Sequence, residues 1–175
     1  VEPAFQHLEE KLREQVLENH ILLDLFVSVD ATPLLVEALK SQLHPPEELE
    51  ATLQSAETVA RLCHLIAQVS AESGGHHAKL VEAGAIAAVL QTLVHQSCNS
   101  EVAKCALIAL QKLTFQNSAC RQIFREQEGV QTLLSVLQAM PGDSAVVKSG
   151  FDLLKNVSFK DDTTKVLFAK LQGFP

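Results

Sequence analysis

Apolar positions in the second half of the chain recur at helical spacing, and the whole pattern occurs twice. Ile86, Val89, Leu90, Leu93 and Val94 fall at i, i+3, i+4, i+7 and i+8, which predicts a helix with one apolar face over 85–95. A longer stripe follows over 101–115. Laying 107–117 over 151–161 puts Leu110 on Leu154, Leu113 on Val157, Thr114 on Ser158 and Phe115 on Phe159, each pair 44 residues apart. The same step back from Leu110, Leu113 and Thr114 reaches Ile66, Val69 and Ser70. A fixed period of roughly 40–47 residues with helical patterning marks a repeat protein built from stacked helices.

Each copy reads as three helices. In the first, a short helix from His76 to Ala83 ends at Gly84, a second covers 85–95, a turn occupies 97–100 and a third helix spans 101–115. The second copy gives 119–126, a break at Gly129, 130–139, a turn at Pro141, Gly142 and Asp143, and 144–159. A third copy begins at Asp162. Leu80, Phe124 and Phe168 align at steps of 44, as do Ile86, Val130 and Phe174. The glycine drifts: Gly84 aligns with Glu128, whereas Gly129 and Gly173 align with Ala85.

Upstream the copies are less regular. Phe5, Leu8, Leu12 and Val16 form a helical stripe, and the dense apolar run 21–27 predicts a buried helix ending near Asp30. Thr32 caps a helix that Pro33 opens and that runs through Leu39. Pro45 and Pro46 stop helix at or before His44. It restarts around Glu47, where Glu47, Glu48 and Glu50 suit a helix start, passes Val59, Leu62, Cys63, Ile66 and Val69, and closes at Ser73, Gly74 and Gly75.

The run from Lys79 to Ile86, followed by 101–114, resembles the armadillo repeat. In that family a short first helix ends at a Gly-Ala-Ile-Pro-like turn, and a long third helix ends in an Ala-Leu-x-Asn-Leu-like motif. Gly173, Phe174 and Pro175 look like the same turn, with Pro175 opening a second helix, and 30–33 resembles a degenerate version. From Thr32 to Ile86 is 54 residues, so the first repeat carries about ten extra residues near Pro45 and Pro46. The resemblance implies an all-α, armadillo-like right-handed α-solenoid of three-helix repeats. It would be a single domain over 1–175, with a degenerate repeat over about 5–73, repeats at 75–117 and 118–161, and a truncated repeat at 162–175. Stacked repeats share a core and need polar caps. The uncovered side this leaves to Leu167, Phe168 and Leu171 makes a piece of a longer solenoid the expectation.

Composition narrows the function. The chain is 47% apolar and 20% charged, without Trp or Tyr, a profile of packed helices and not of a disordered chain. A net charge of −7 argues against nucleic-acid binding, which needs clustered Lys and Arg. No apolar run reaches the length of a bilayer span, so no membrane insertion is expected. Cys63, Cys98, Cys105 and Cys120 show no close pairing. They read as buried small residues or surface thiols in a reducing compartment, hence a cytoplasmic location, with nuclear or cytoskeletal association open.

In armadillo proteins that bind extended peptides, the third helices line a concave groove. An Asn on each bonds the peptide backbone, and a Trp one turn earlier packs its side chains. By register the Asn position here holds Gln68, Lys112 and Asn156, and the Trp position His64, Ile108 and Asp152, so Asn156 alone matches. Without the aromatic anchors that dominate such binding, a nuclear-localisation-signal receptor is not implied. Lys104, Lys112 and Lys148 give the same groove a positive stripe suited to an acidic helix or peptide, the plain alternative being a solvated face. With Arg61 these nine residues form the candidate protein-binding groove.

His76, His77, His95, Cys98, Cys63 and His64 invite a metal reading, but only His95 and Cys98 form a pair at ligand spacing, and zinc needs three or four converging ligands. No metal or other cofactor is expected. The sequence contains no Gly-x-Ser-x-Gly turn, no phosphate-cradling glycine loop and no carboxylates paired on a strand scaffold, so no enzyme is expected. Asn156 and Ser158 form a glycosylation acceptor in name, but lie inside a predicted core helix. The expected function is a non-catalytic protein–protein interaction module or scaffold segment, binding a protein or peptide on its third-helix face. The alternatives are a regulatory module gripping a folded partner, as armadillo-like chaperone co-factors do, a purely architectural segment, or a module built on the His/Cys cluster.

Overall fold

Asx caps and left-handed turns cut the apolar stripes into nine helices among the described residues, with no strand between them. They are α1 (Thr32–Ser41), α2 (Leu49–Ala71), α3 (His76–Glu82), α4 (Ala85–His95), α5 (Ser100–Thr114), α6 (Ser118–Glu126), α7 (Gly129–Ala139), α8 (Ser144–Ser158) and α9 (Asp162–Lys170). The structure is a computed structural model that describes residues 32–43, 49–71, 76–96 and 98–171, the side chains of 49–55 excepted. The chain divides into two compact units, Val1–Thr32 and Pro33–Pro175, and the described residues, Thr32 apart, fall in the second. The stripe from Phe5 to Val16, the run 21–27, the break at Pro45 and Pro46, the closure at 73–75 and the turn at 173–175 lie outside the described residues.

Helix starts are set by side-chain caps. Asn99 Oδ1 accepts from Val102 N at 3.1 Å, Asn117 Oδ1 from Cys120 N at 3.1 Å, Asp143 Oδ1 from Ala145 N and Val146 N at 3.0 Å each, and Asp161 Oδ1 from Thr164 N at 3.1 Å. Each takes up an amide that has no partner inside its helix. Asn99 and Asp143 are 44 residues apart, as are Asn117 and Asp161. The caps start α5 and α6 one residue earlier than the apolar pattern alone suggests.

The exits repeat as faithfully. Phe115 (φ −64, ψ 126) and Phe159 (φ −65, ψ 116) leave the helix in extended conformation. Gln116 (φ 50) and Lys160 (φ 52) follow in the left-handed region. One turn back, Thr114 Oγ1 donates to Leu110 O at 2.8 Å and Ser158 Oγ to Leu154 O at 2.7 Å, while Ser70 Oγ donates to Ile66 O. A hydroxyl beside the core is tolerated because the preceding turn supplies its acceptor. That is why Ser, Thr and Ser hold the 70, 114 and 158 positions.

The drifting glycine has a packing cause. The left-handed turn before the second helix stays in register, at Gly84 (φ 86) and then Glu128 (φ 58). Gly129 opens α7 and meets a different need: a Cβ there would lie 2.6 Å from the Phe124 ring and from its carbonyl oxygen. The second copy therefore keeps the turn, strained at Glu128, and uses glycine for close approach.

Packing follows the same period. α2 lies against α5 and α5 against α8, α4 against α7, and α9 against α7 and α8. α5 and α8 are parallel and tied at both ends. Ser100 Oγ donates to Asp143 Oδ2 at their N-termini, and Asn156 Nδ2 donates to Gln111 O at 3.1 Å near their C-termini. α3 and α4 meet at 62° across Gly84, and Lys40 Nζ of α1 donates to Ala83 O at 3.2 Å in that turn. The core is lined by Cys63, Ile66, Leu80, Ile86, Leu107, Leu110, Leu113, Phe124 and Leu153, all fully buried.

Val94, Phe115 and Phe159, apolar residues of the sequence pattern, are exposed. Val94 is exposed because it sits about 80° round α4 from Ile86, beyond the edge of the buried stripe. Phe115 and Phe159 are exposed because they have already left the helix. No single helix among the described residues is long and apolar enough to cross a membrane.

Candidate protein-binding face

Each of the three long helices carries a stripe of exposed or half-buried residues, in the same 44-residue register except at Arg61, which stands one place after the position of Lys104 and Lys148. On α2 these are Arg61, His64 and Gln68, on α5 Lys104, Ile108 and Lys112, and on α8 Lys148, Asp152 and Asn156. Residues four apart share a helix face, and α5 lies between α2 and α8, so the structure brings the nine positions together across three neighbouring helices.

Their charges are unequally available. Arg61 pairs with Glu57 at 2.5 Å and Lys104 with Glu101 at 2.6 Å, both within one helix. The Lys104 hydrogen bond is the main cause that lowers the Glu101 carboxyl below its usual range, and the same bond raises the Lys104 ammonium. Such solvated pairs contribute little stability, but they neutralise charge locally. Lys112 and Lys148 are exposed and face no carboxylate at ion-pair distance among the described residues. The positive stripe expected from Lys104, Lys112 and Lys148 is thus carried mainly by the last two.

Asn156, the one match to a peptide-ladder asparagine, has its amide engaged inside the chain. Gln111 O lies in the last turn of α5, where carbonyls lack helical donors. The side chain that would donate to a bound backbone instead joins two helices.

The histidines and cysteines do not converge. His77 Nε2 lies 2.8 Å from Leu113 O, and His95 Nδ1 lies 2.9 Å from Gln91 O. His64 and Cys98 are exposed, and Cys63 is buried. Burial, and then the neighbouring Cys105, push the Cys63 thiol up to about 12, and burial likewise raises Cys105 and Cys120. A raised thiol is a packing residue and a poor nucleophile. Among the described residues no three His, Cys, Asp or Glu side chains are grouped to hold a metal ion.

A polar junction outside the sequence-derived site joins α6 to α9. Arg125 Nη1 donates to Asp161 Oδ2, and Thr164 Oγ1 donates to the same oxygen at 2.9 Å. Burial pushes the Asp161 carboxyl up, but the Thr164 amide and hydroxyl and the Arg125 charge outweigh it and hold it below the usual carboxylate range. A depressed carboxylate stabilises the fold above its unfolded pKa, and that contribution is lost as the pH falls through the folded value. As the pH falls below about 4, the ordinary carboxylate value, the urea midpoint should therefore fall more steeply for the native chain than for Asp161→Asn, which keeps a cap acceptor but cannot titrate. Parallel pH profiles would remove Asp161 from this role.

No family model matches the chain, and no curated protein matches it. Among solved structures, the crystal structure of an engineered protein, a Northeast Structural Genomics Consortium target, is similar over 86% of this chain and 72% of its own, with 18% identity and a TM-score of 0.58. At that identity the likeness concerns the fold alone.

Proposed function

We propose that this chain is a stretch of armadillo-like right-handed α-solenoid that acts as a non-catalytic protein-interaction module in the cytoplasm, holding a protein partner against its third-helix face. The observation that carries the reading is the contrast between strict and relaxed positions at one period. Core, cap and turn positions repeat at 44 residues, while His64, Ile108 and Asp152, or Gln68, Lys112 and Asn156, do not. A face on which one backbone plan displays different side chains in each copy suits one particular partner better than a uniform ladder. The four cysteines, unpaired and three of them buried, suit a reducing compartment.

The test is quantitative affinity capture with the native chain and with His64→Glu/Lys148→Glu, two exposed changes that leave caps and core untouched. Partners bound by this face drop out of the variant's set. Identical sets would discard the face.

The outer flank of α8 favours a second reading, a largely architectural segment. Leu107 is fully buried, whereas Phe151 at the same register is 54% exposed, and Val147 and Leu154 are half-buried where Ala103 and Leu110 are fully buried. On this reading another element covers that flank.

A further inference from the structure

Phe115 and Phe159 are 56% and 60% exposed, although each continues the apolar stripe of a buried helix. The extended backbone at each turns the ring away from the buried side. Phe115 does not owe its exposure to a missing neighbour, since α6 to α9 follow it and α2 to α5 precede it. The two phenylalanines cap parallel helices held side by side by the bond from Asn156 to Gln111. Packed helices stand about 8–10 Å apart, and the helix ends that carry the two rings share that spacing.

Cations frame them. Lys112 lies one turn before Phe115 and Lys155 one turn before Phe159, and Lys160 Nζ sits 5.5 Å from the centroid of the Phe159 ring. All three are exposed, and none is paired with a carboxylate among the described residues. The adjoining acids are engaged elsewhere, Asp161 by Arg125 and Asp162 by Lys165. A chain of net charge −7 therefore presents, at one edge, two aromatic rings between three uncompensated positive charges. Paired exposed aromatics on a soluble surface mark interaction sites.

The geometry points to this edge as the docking site for an acidic amphipathic helix of a partner protein, with apolar residues at i and i+7 and Asp or Glu beside them. Seven residues of helix rise about 10.5 Å, close to the spacing of the two packed helices that carry the rings. The lysines select an acidic partner by charge. A helix is favoured over an extended segment because Asn156, the ladder asparagine, already donates to Gln111. An extended backbone would find few donors, while a helix arrives with its own backbone bonds made. The inference rests on the reading of the chain as an interaction module; of the residues that would contact the helix it shares only Lys112 with the third-helix stripes, the rings of Phe115 and Phe159 and the cations Lys155 and Lys160 lying outside them.

The test titrates the whole chain with a labelled synthetic peptide, leucines at i and i+7 among glutamates, followed by fluorescence anisotropy. A second peptide of the same composition places the leucines on opposite faces. The patterned peptide should bind the native chain saturably, about tenfold or more weakly to Phe115→Ser/Phe159→Ser and to Lys155→Glu/Lys160→Glu, and more weakly at high salt. The mispatterned peptide should bind the native chain no better than the patterned one binds the phenylalanine variant. Thermal melts followed by circular dichroism establish that both variants fold, and the charge variant carries the test alone if the phenylalanine variant does not. Equal binding by the native chain and either folded variant, or no saturation up to about 1 mM peptide, overturns the inference. His64→Glu/Lys148→Glu should leave this titration unchanged. If it alone weakens the peptide, the edge fails as a site and the third-helix face stands.

Discussion

Gly129→Ala is expected to destabilise the fold by about 3 kcal/mol, at the upper end of the cost of overpacking, and to lower Tm by roughly 6–12 °C in a chain of this size. The new Cβ would stand 2.6 Å from two ring carbons of Phe124 and from its backbone oxygen. Phe124 is fully buried, so its ring has nowhere to swing, and the carbonyl cannot move without displacing the end of α6. Gly84 answers to a different constraint. A Cβ there meets nothing within 4 Å, but φ is +86, so Gly84→Ala costs only about 1 kcal/mol of backbone strain. The double change Glu128→Gly/Gly129→Ala separates the two causes, because it returns glycine to the register of Gly84. It should recover at most about 1 kcal/mol of the Gly129→Ala loss. Full recovery in thermal melts would mean that glycine served the turn and not the contact with Phe124.

The second large effect contrasts two positions that the 44-residue register makes equivalent. Leu107→Ala should cost about 3 kcal/mol, within the range for deleting a buried leucine, because Leu107 is fully buried on a helix flanked by α2 and α8. Phe151→Ala should cost less than about 1 kcal/mol, since its ring is more than half exposed. Urea unfolding with unchanged m-values is the measurement. Comparable losses at both sites would show that something covers the flank of α8.

Much of the architecture was legible because the punctuation is chemical. Gly84, Asn99, Asn117, Asp143 and Asp161 each end or start a helix by a mechanism that a sequence displays, and α4 runs from Ala85 to His95 as its apolar spacing predicts. Burial at the helix exits was not legible. Phe115 and Phe159 look like core because periodicity presumes that the helix continues, whereas the helix ends at Thr114 and Ser158 and the backbone turns extended. Register selected the groove positions other than Arg61, but register carries no information on which are already engaged. The bond from Asn156 to Gln111 crosses between helices 45 residues apart, and the pairing of Lys104 with Glu101 depends on which rotamer each adopts. The reason for glycine at 129 was equally hidden, because it lies in the ring of Phe124, while the left-handed turn stays at Glu128.

Because Ser100 is fastened to Asp143 at one end of α5 and α8, and Gln111 to Asn156 at the other, neither helix can slide or splay against its neighbour without breaking a hydrogen bond. Amide hydrogens in this pair should exchange as one cooperative block, later than those of α9. A ligand landing there would meet a board already stiff, so the loss of freedom on binding would fall almost wholly on the ligand.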